Sequence, residues 1–548
     1  MIIDLADSGP ELDVEADLCI VGAGAAGLTI VHELRRSAVR VCVIETGGLA
    51  ASPAADRLNE LGDDGAETAE PLNIRPRLFG GSTAEWGGMC CPLDPCDFEP
   101  RPTMALHRWP LALRELQPYY ERAHAALGLG VGYFDERVWS HLGVEAPAMD
   151  PALVQTKFWQ FRFPNALPPD SPLRFGPAYL SDFGVGANAT AVLNATVVGI
   201  DRLPGTARVE RLRFLGLNGR SGQVRATVVV LAAGTVENTR LLLNSEFRRA
   251  SPALGRYFME HPHVPVGLLS YRDLARLLPG WAVLQRLGRV AVRPKFLPTP
   301  AYQRERDILN ASIALEMRCG PDCPHRALGD LTRAIRAREA PAIARAAGRV
   351  LVSPRRAGAT VYRKSRGRPG CRGHGGIVLY SRSEQEPNPE SRIELGPERD
   401  VLGVPRATVS WRLTDRDRRT VVDFAGLVAE QLRRLGAVGP TRPEWLVEPQ
   451  GWSELLRGGP HHSGTTRMSD SPATGVVDRN SRVHGVDNLY VVGPAVFPTG
   501  GYANPMYTTV ALALRAADEL RRRLEEYRSI GSLETISERR VGQSSTLA

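Results

Sequence analysis

Three glycines, Gly22, Gly24 and Gly27, stand in the pattern GxGxxG within DLCIVGAGAAGLTIVHEL, and Glu45 closes the next apolar run, VCVIE. Gly22 permits a tight turn, Gly24 lets the backbone approach a pyrophosphate, Gly27 lets a helix pack onto a strand, and Glu45 can accept both hydrogen bonds of a ribose diol. Ala25 and Ala26 complete the turn and join the expected dinucleotide contacts. Far along the chain, His461 and His462 are adjacent in HHSGTT. An imidazole with a pKa near neutrality can take a proton from a hydroxyl, although two neighbouring histidines alone equally describe a structural pair. Cys90, Cys91 and Cys96 in CCPLDPC, with Cys319, Cys323 and His325 in CGPDCPH, offer neither a paired CxxC nor an evident fourth ligand, so no metal site is expected.

These residues need particular elements to position them. From Asp17 to Gly48 a short apolar run enters the Gly-rich turn, then an amphipathic stretch, then a second apolar run, which reads as strand, turn, helix, strand. VRATVVVLAAG, Val224 to Gly234, reads as a strand leading into a helix that starts near Thr235. A further strand, Asn488 to Gly493, precedes a Pro- and Gly-rich loop and a helix from about Tyr507 to Arg523. Three separated pieces of nucleotide-fold character imply a discontinuous α/β domain. Between about His263 and Glu454, strands such as Ser391 to Leu395 and Ala407 to Leu413 alternate with helices at Leu331 to Leu351 and Asp417 to Leu435, which implies a second, α+β domain.

RLFGGSTAEWGGMCCP at Arg77 to Pro92, LAAGTVENTRLLLNS at Leu231 to Ser245 and the long block from His461 to Arg515 together resemble the glucose-methanol-choline (GMC) family of FAD-dependent oxidoreductases. Within that family the chain looks closest to the pyranose oxidase and bacterial glycoside 3-oxidase branch. The resemblance implies a Rossmann-like FAD-binding domain built from residues 1–130, 190–262 and 455–528. It implies a substrate-binding domain with a mainly antiparallel sheet from 131–189 and 263–454, and residues 529–548 read as a flexible tail. The family's HxxGT pattern matches His461, Gly464 and Thr465, making His461 the expected catalytic base. The family's second active-site residue, a His or Asn ahead of a Pro, matches Asn504 before Pro505.

By the same resemblance Gly80, Gly81, Ser82 and Thr83 wrap the flavin, Gly87, Gly88 and Met89 continue along its ring, and Asn504 and Pro505 border it. Ala233 falls in the adenosine half, the backbone at Val197 or Val198 is the expected adenine partner, and Gly493 stands where many members carry Asp. Some relatives tether FAD to a histidine in the Gly80 to Met89 loop; here Ala84 and Glu85 precede Trp86, so non-covalent FAD is expected. The implied reaction oxidises a primary or secondary alcohol of a sugar, glycoside or cyclic polyol by hydride transfer to flavin N5, with O₂, a quinone or a redox partner as acceptor. Gln385 and Asn388 in SRSEQEPNPESR, with His462, are the expected readers of substrate hydroxyls. A non-sugar alcohol, or hydroxynitrile cleavage with a redox-silent flavin, are the alternatives.

Composition bounds the rest. The 548 residues are 43% hydrophobic and 23% charged with mean hydropathy −0.19, which excludes a disordered chain, a collagen-like fibre and a polytopic membrane protein. A net charge of +8 is modest for this length and suggests no nucleic-acid partner. Eight cysteines, and a first segment with neither a basic nor an apolar signal region, suggest a reducing cytoplasm. No run approaches the roughly 20 apolar residues of a membrane span. Leu331 to Arg372 carries twelve Arg or Lys against the single Glu339, so a basic amphipathic helix at a membrane or partner stands beside the plainer reading of a solvated helix face.

Overall fold

Leu18 to Val21, Val41 to Ile44 and Val228 to Leu231 are buried without interruption. Such runs suit parallel strands covered on both faces by helices, because neither face meets water. In the structure, a computed structural model, they form the centre of an eight-stranded sheet ordered Ile2–Asp4, Ala189–Leu193, Val41–Ile44, Glu11–Val21, Ser221–Leu231, Val209–Leu215, Thr196–Arg202, with Leu489–Val491 also paired to Ser221–Leu231. Pairing is parallel throughout except for Val209–Leu215 and Thr196–Arg202, which return antiparallel. The Ala25–Leu34 helix makes the crossover between the two central strands and packs against the C-terminal helix. The structure describes residues 1–9, 11–62, 74–101, 104, 108–161, 174–249, 251–278, 281, 285–288, 290–317, 323–337, 339–365, 376–438, 443, 446 and 455–544. Cys319 and the 366–372 end of the basic stretch lie outside them.

The second sheet has seven strands. Gln285–Leu287, Val290–Pro298, Ala311–Met317, Ile377–Ser383, Pro262–Leu269 and Arg457–Gly458 follow one another, and Val154–Phe161 joins Val290–Pro298. Every pairing is antiparallel. Ile377–Ser383 alternates buried and half-buried residues, as a strand with two unlike faces must. The Asp415–Arg434 helix covers the sheet through Val421, Phe424, Val428 and Leu432. Its start is fixed by a reciprocal cap in which Thr414 and Asp417 bond each other's backbone N–H.

Two expectations change. The Leu331 to Leu351 helix is two helices, Pro324–Ala337 and Ala340–Leu351, because Pro341 fits only the first turn of a helix and forces a restart near Glu339. With Pro354–Ser365 they form a three-helix insertion between Ala311–Met317 and Ile377–Ser383, strands that are themselves directly paired. The last helix is continuous from Met506 to Ser544, past the Arg523 end read from the sequence and into the stretch read as a tail.

The 94–101 segment is joined to the antiparallel sheet by buried polar contacts. Arg101 forks onto Glu384 at 2.6 and 2.7 Å, Lys157 pairs with Asp94, and Asn310 donates to Asp94 at 3.3 Å and Asp97 at 3.0 Å. Lys295 is fully buried with its ammonium 4.2 Å from the ring centres of both Trp159 and Tyr502. Breaking one partner of such a pair leaves an uncompensated buried charge, so these contacts hold the interface in one arrangement.

A side-chain carbon added at Gly27 would stand 2.2 Å from the Gly22 carbonyl oxygen. Gly27→Ala is therefore expected to cost about 1–3 kcal/mol through overpacking. Urea denaturation reads this as a lowered midpoint, and an unchanged midpoint would mean that helix and turn separate freely.

Candidate active site

The parallel strands end together, and their carboxyl ends build a cradle. Gly22 follows the Glu11–Val21 strand at φ +101°, a conformation that favours glycine, and its N–H donates to Ile44 at 2.8 Å. A side-chain carbon there would lie 2.8 Å from the Ala232 carbonyl oxygen, so Gly22 also admits the end of the Ser221–Leu231 strand. The Ala25–Leu34 helix begins at Gly24 with no side-chain cap. Its first amides, at Ala25, Ala26 and Gly27, are therefore available to an anion such as a pyrophosphate. Glu45 is buried, and its two oxygens accept the N–H of Ala23 at 2.8 Å and of Gly47 at 2.9 Å. Each carboxylate oxygen has a second lone pair, so the ribose diol remains within its capacity.

The Gly80 loop closes on this turn. Gly80 N–H donates to Ala23 at 2.8 Å, and a carbon added at Gly81 would lie 3.0 Å from the Gly24 Cα. Thr83 shapes the loop itself, donating to the Gly80 carbonyl and accepting the Phe175 N–H. Ser82 and Gly87 are exposed, Gly88 is buried at φ +66°, and Met89 packs against the core. Ala233 donates its N–H to Asn238, and Val197 lies on Thr196–Arg202, an outer strand of the sheet. Carbons built at Gly234 and Gly493 meet nothing within 4 Å, which leaves open room at the ends of two adjacent strands. This is the place where a dinucleotide lies in an open α/β sheet, and the residues fit one.

The chain after Gly493 leads to the second cluster. Gly464 N–H donates to Pro494 at 3.2 Å and Thr466 N–H to Ala495 at 2.9 Å, while Met259 and Ser463 exchange backbone bonds of 3.0 and 2.9 Å. Gly464 stands at φ +91°, where a side-chain carbon would lie 2.2 Å from the Tyr257 carbonyl oxygen, so the HxxGT pattern needs glycine here. Thr465 bonds Thr239 of the Thr235–Asn244 helix at 2.6 Å.

His461 is thereby held with Nδ1 2.8 Å from His261 Nδ1 and Nε2 3.0 Å from Asn504 Nδ2. An amide NH₂ only donates, so Nε2 of neutral His461 is the bare nitrogen and Nδ1 carries the hydrogen, which it gives to His261. Backbone contacts at Gly500 and Gly501 favour a proton on the His261 ring in turn. Beneath both imidazoles lies Glu260, 2% exposed, whose carboxyl accepts the N–H of His261 at 2.7 Å and of His461 at 2.8 and 2.9 Å.

Burial is the largest influence on every one of these groups. It pushes Glu260 up to about 7 against the N–H groups that favour its ionised form, and it pushes His261 down to about 4. His461 and His263 fall well below the ordinary histidine range, with repulsion from neighbouring imidazoles and Arg382 adding to burial. His461 is therefore neutral near pH 7 and able to accept a proton at Nε2.

His461 and Asn504 come together across 43 residues of chain. The three expected substrate readers are placed differently. Gln385 is buried and its amide is fully engaged, accepting Glu260 N–H and Trp411 Nε1–H at 2.8 Å each and donating to Phe258 and Arg412. It supports Glu260 instead of facing open space. Asn388 caps a turn, accepting Glu390 N–H at 2.9 Å. His462 turns towards Phe258 and lies 3.5 Å from Glu260. Sequence reasoning missed Glu260, His261 and His263, although one Glu and two His within EHPH was the available signal. Cys90, Cys91, Cys96 and Cys323 are buried thiols.

Residues 17–272 match the FAD dependent oxidoreductase family and residues 387–513 the GMC oxidoreductase C-terminal family. Paromamine 6'-oxidase from Streptomyces fradiae is 25% identical over 91% of this chain and 90% of its own. The C-glycoside 3-oxidase of Arthrobacter globiformis is 37% identical over 22% of each chain. Among solved structures, pyridoxine 4-oxidase from Mesorbium loti shares the fold with a TM-score of 0.53 and 19% identity, covering 92% of this chain and 99% of that one.

His261→Ala removes the acceptor for Nδ1–H and is expected to slow cofactor reduction by about 10- to 100-fold, part of the roughly 10²–10⁴ that a positioned base supplies. His261→Asn should recover some of the loss, and KM should change little. Protonation of His461 is expected to lower the reduction rate only on the acid side of about pH 6.5, since its neutral form is the active one, while Glu260 at about 7 is the group that titrates near neutrality. A limb centred above pH 6.5 that persists in a Glu260→Gln protein in stopped-flow traces would contradict this placement of the base.

Proposed function

Since the chain belongs to the FAD-dependent GMC oxidoreductases and acts on CH–OH donors, we propose that it oxidises a hydroxyl group of a sugar or glycoside to the carbonyl. The observation that carries this reading is the bare Nε2 of His461 facing the Asn504 amide at 3.0 Å, on a segment hydrogen-bonded to the loop after Gly493. Bound FAD supplies the acceptor for the hydride of the carbinol carbon. The substrate hydroxyl displaces the Asn504 N–H from Nε2, and His461 takes its proton there. Asn504 has two N–H groups, and it directs one to the substrate oxygen, where negative charge develops as the proton leaves. His261 holds the His461 ring in the tautomer that leaves Nε2 bare, as an orienting partner does for a general base.

The cofactor is held by the first turn of the Ala25–Leu34 helix, Glu45 and the Gly80 loop, with Gly234 and Gly493 leaving room for it. Ala84 and Glu85 offer no imidazole for a tether, so the cofactor is bound non-covalently. The names paromamine 6'-oxidase and C-glycoside 3-oxidase of two relatives support a glycoside substrate, and the buried polar cluster suits a polyhydroxylated one.

Anaerobic titration with pyranoses, glycosides and amino sugars is expected to bleach the oxidised flavin band, and acid precipitation is expected to release the flavin into solution. His461→Ala should retain FAD while slowing its reduction by at least about 100-fold. Asn504→Ala should lose somewhat less. A His461→Ala protein that reduces its flavin at the wild-type rate would overturn the assignment, and flavin retained in the acid pellet would overturn non-covalent binding.

A further inference from the structure

The chain's net charge is concentrated in one place. The three inserted helices, Pro324–Ala337, Ala340–Leu351 and Pro354–Ser365, run from residue 324 to 365 and contain ten Arg or Lys against Asp330 and Glu339. Their surplus of eight equals the net charge of the whole protein, +8, so the remaining residues are neutral in sum. The insertion is also where apolar side chains are left in water. Leu351 is 74% exposed, Val352 83%, Val361 54% and Tyr362 61%.

These features gather on one helix and the turn before it. Pro354–Ser365 turns Ala357 and Thr360 inward, at 5% and 1% exposure, against its two sister helices. Arg355 and Tyr362, seven residues apart, stand on the opposite side, Arg356 and Val361 flank it, all four are exposed, and Leu351 and Val352 sit in the turn that leads into the helix. A helix that offers arginines and apolar side chains together to solvent has the composition of one lying in a bilayer interface. A purely acidic protein partner would account for the arginines and leave the four apolar side chains unexplained.

The placement leaves the active site free. The insertion leaves the sheet at Met317 and returns at Ile377, which pair with each other. Ala311, at the other end of the same strand, pairs with Ser383, next to Glu384 of the interface network. Six residue steps of strand separate the two ends, about 20 Å at the usual rise.

We propose that the outer face of the Pro354–Ser365 helix, with the Leu351–Val352 turn, docks the enzyme onto an anionic lipid surface. The arginines meet lipid phosphates and the apolar residues enter the acyl boundary, the two contributions that stable peripheral binding needs together. No helix among the described residues is long and apolar enough to cross a membrane, so the attachment lies on the surface. This inference does not depend on the identity of the substrate.

Sedimentation of the purified, flavin-loaded protein with vesicles tests it. Binding is expected to vesicles of phosphatidylcholine containing phosphatidylglycerol, and to weaken with salt, while vesicles of phosphatidylcholine alone bind little. The pairs Leu351→Ser with Val352→Ser, and Arg355→Glu with Arg356→Glu, should each lower partitioning at least about tenfold and leave flavin reduction in solution unchanged. The proposal is overturned if anionic vesicles fail to sediment the protein, if both variant pairs bind as the parent does, or if the same residues capture an acidic protein while vesicles are ignored.

Discussion

Glu260 has both carboxyl oxygens bonded to backbone N–H groups, those of His261 at 2.7 Å and His461 at 2.8 and 2.9 Å, and it is almost wholly removed from water. A buried carboxyl held this way resists displacement, because each donor it gives up removes part of what compensates its lost hydration. The consequence is geometric. The 459–461 segment cannot slide along 259–261, and the two imidazoles are kept 2.8 Å apart with the base's second nitrogen turned to Asn504. Glu260 is itself anchored, since its N–H is bonded to Gln385, whose oxygen also receives Trp411. The base is therefore positioned by layers of polar contact that reach into the second domain.

That polar column meets the cofactor cradle because of topology. Parallel strands bring Gly22, Glu45, Ala233 and Gly493 to one edge of the sheet, and the 493–496 loop bonds directly to Gly464 and Thr466. Moving one centre without the other would break main-chain bonds. The buried pairs between the 94–101 segment and the antiparallel sheet, Arg101 with Glu384 and Lys157 with Asp94, restrain the same junction from the other side. Two chemistries that are separate in sequence thus share one rigid frame.

Much of this was legible in the residues, and the rest was not for physical reasons. The glycine turn declares itself because only glycine tolerates the +101° φ of Gly22 and the close approach at Gly27. HxxGT declares itself similarly through Gly464. His261 escaped notice because its partner lies 200 residues away, and only folding makes them neighbours. Gln385 was the right kind of residue in the wrong role, since sequence does not reveal that the amide of Glu260 lacks another acceptor. Pro341 was visible, yet the strong apolar spacing around it suggested one helix where the missing N–H requires two.

The most direct test of this account is nitrogen NMR of the flavin-loaded enzyme labelled at histidine, with His461 assigned by comparison to a His461→Gln protein. The account predicts that at pH 7 the His461 ring is neutral, with hydrogen on Nδ1 and none on Nε2, and that it stays so well below pH 6.5. A resonance pattern showing hydrogen on Nε2, or a doubly protonated ring at neutral pH, would contradict it, because His461 would then have no lone pair facing the hydroxyl it is held to deprotonate.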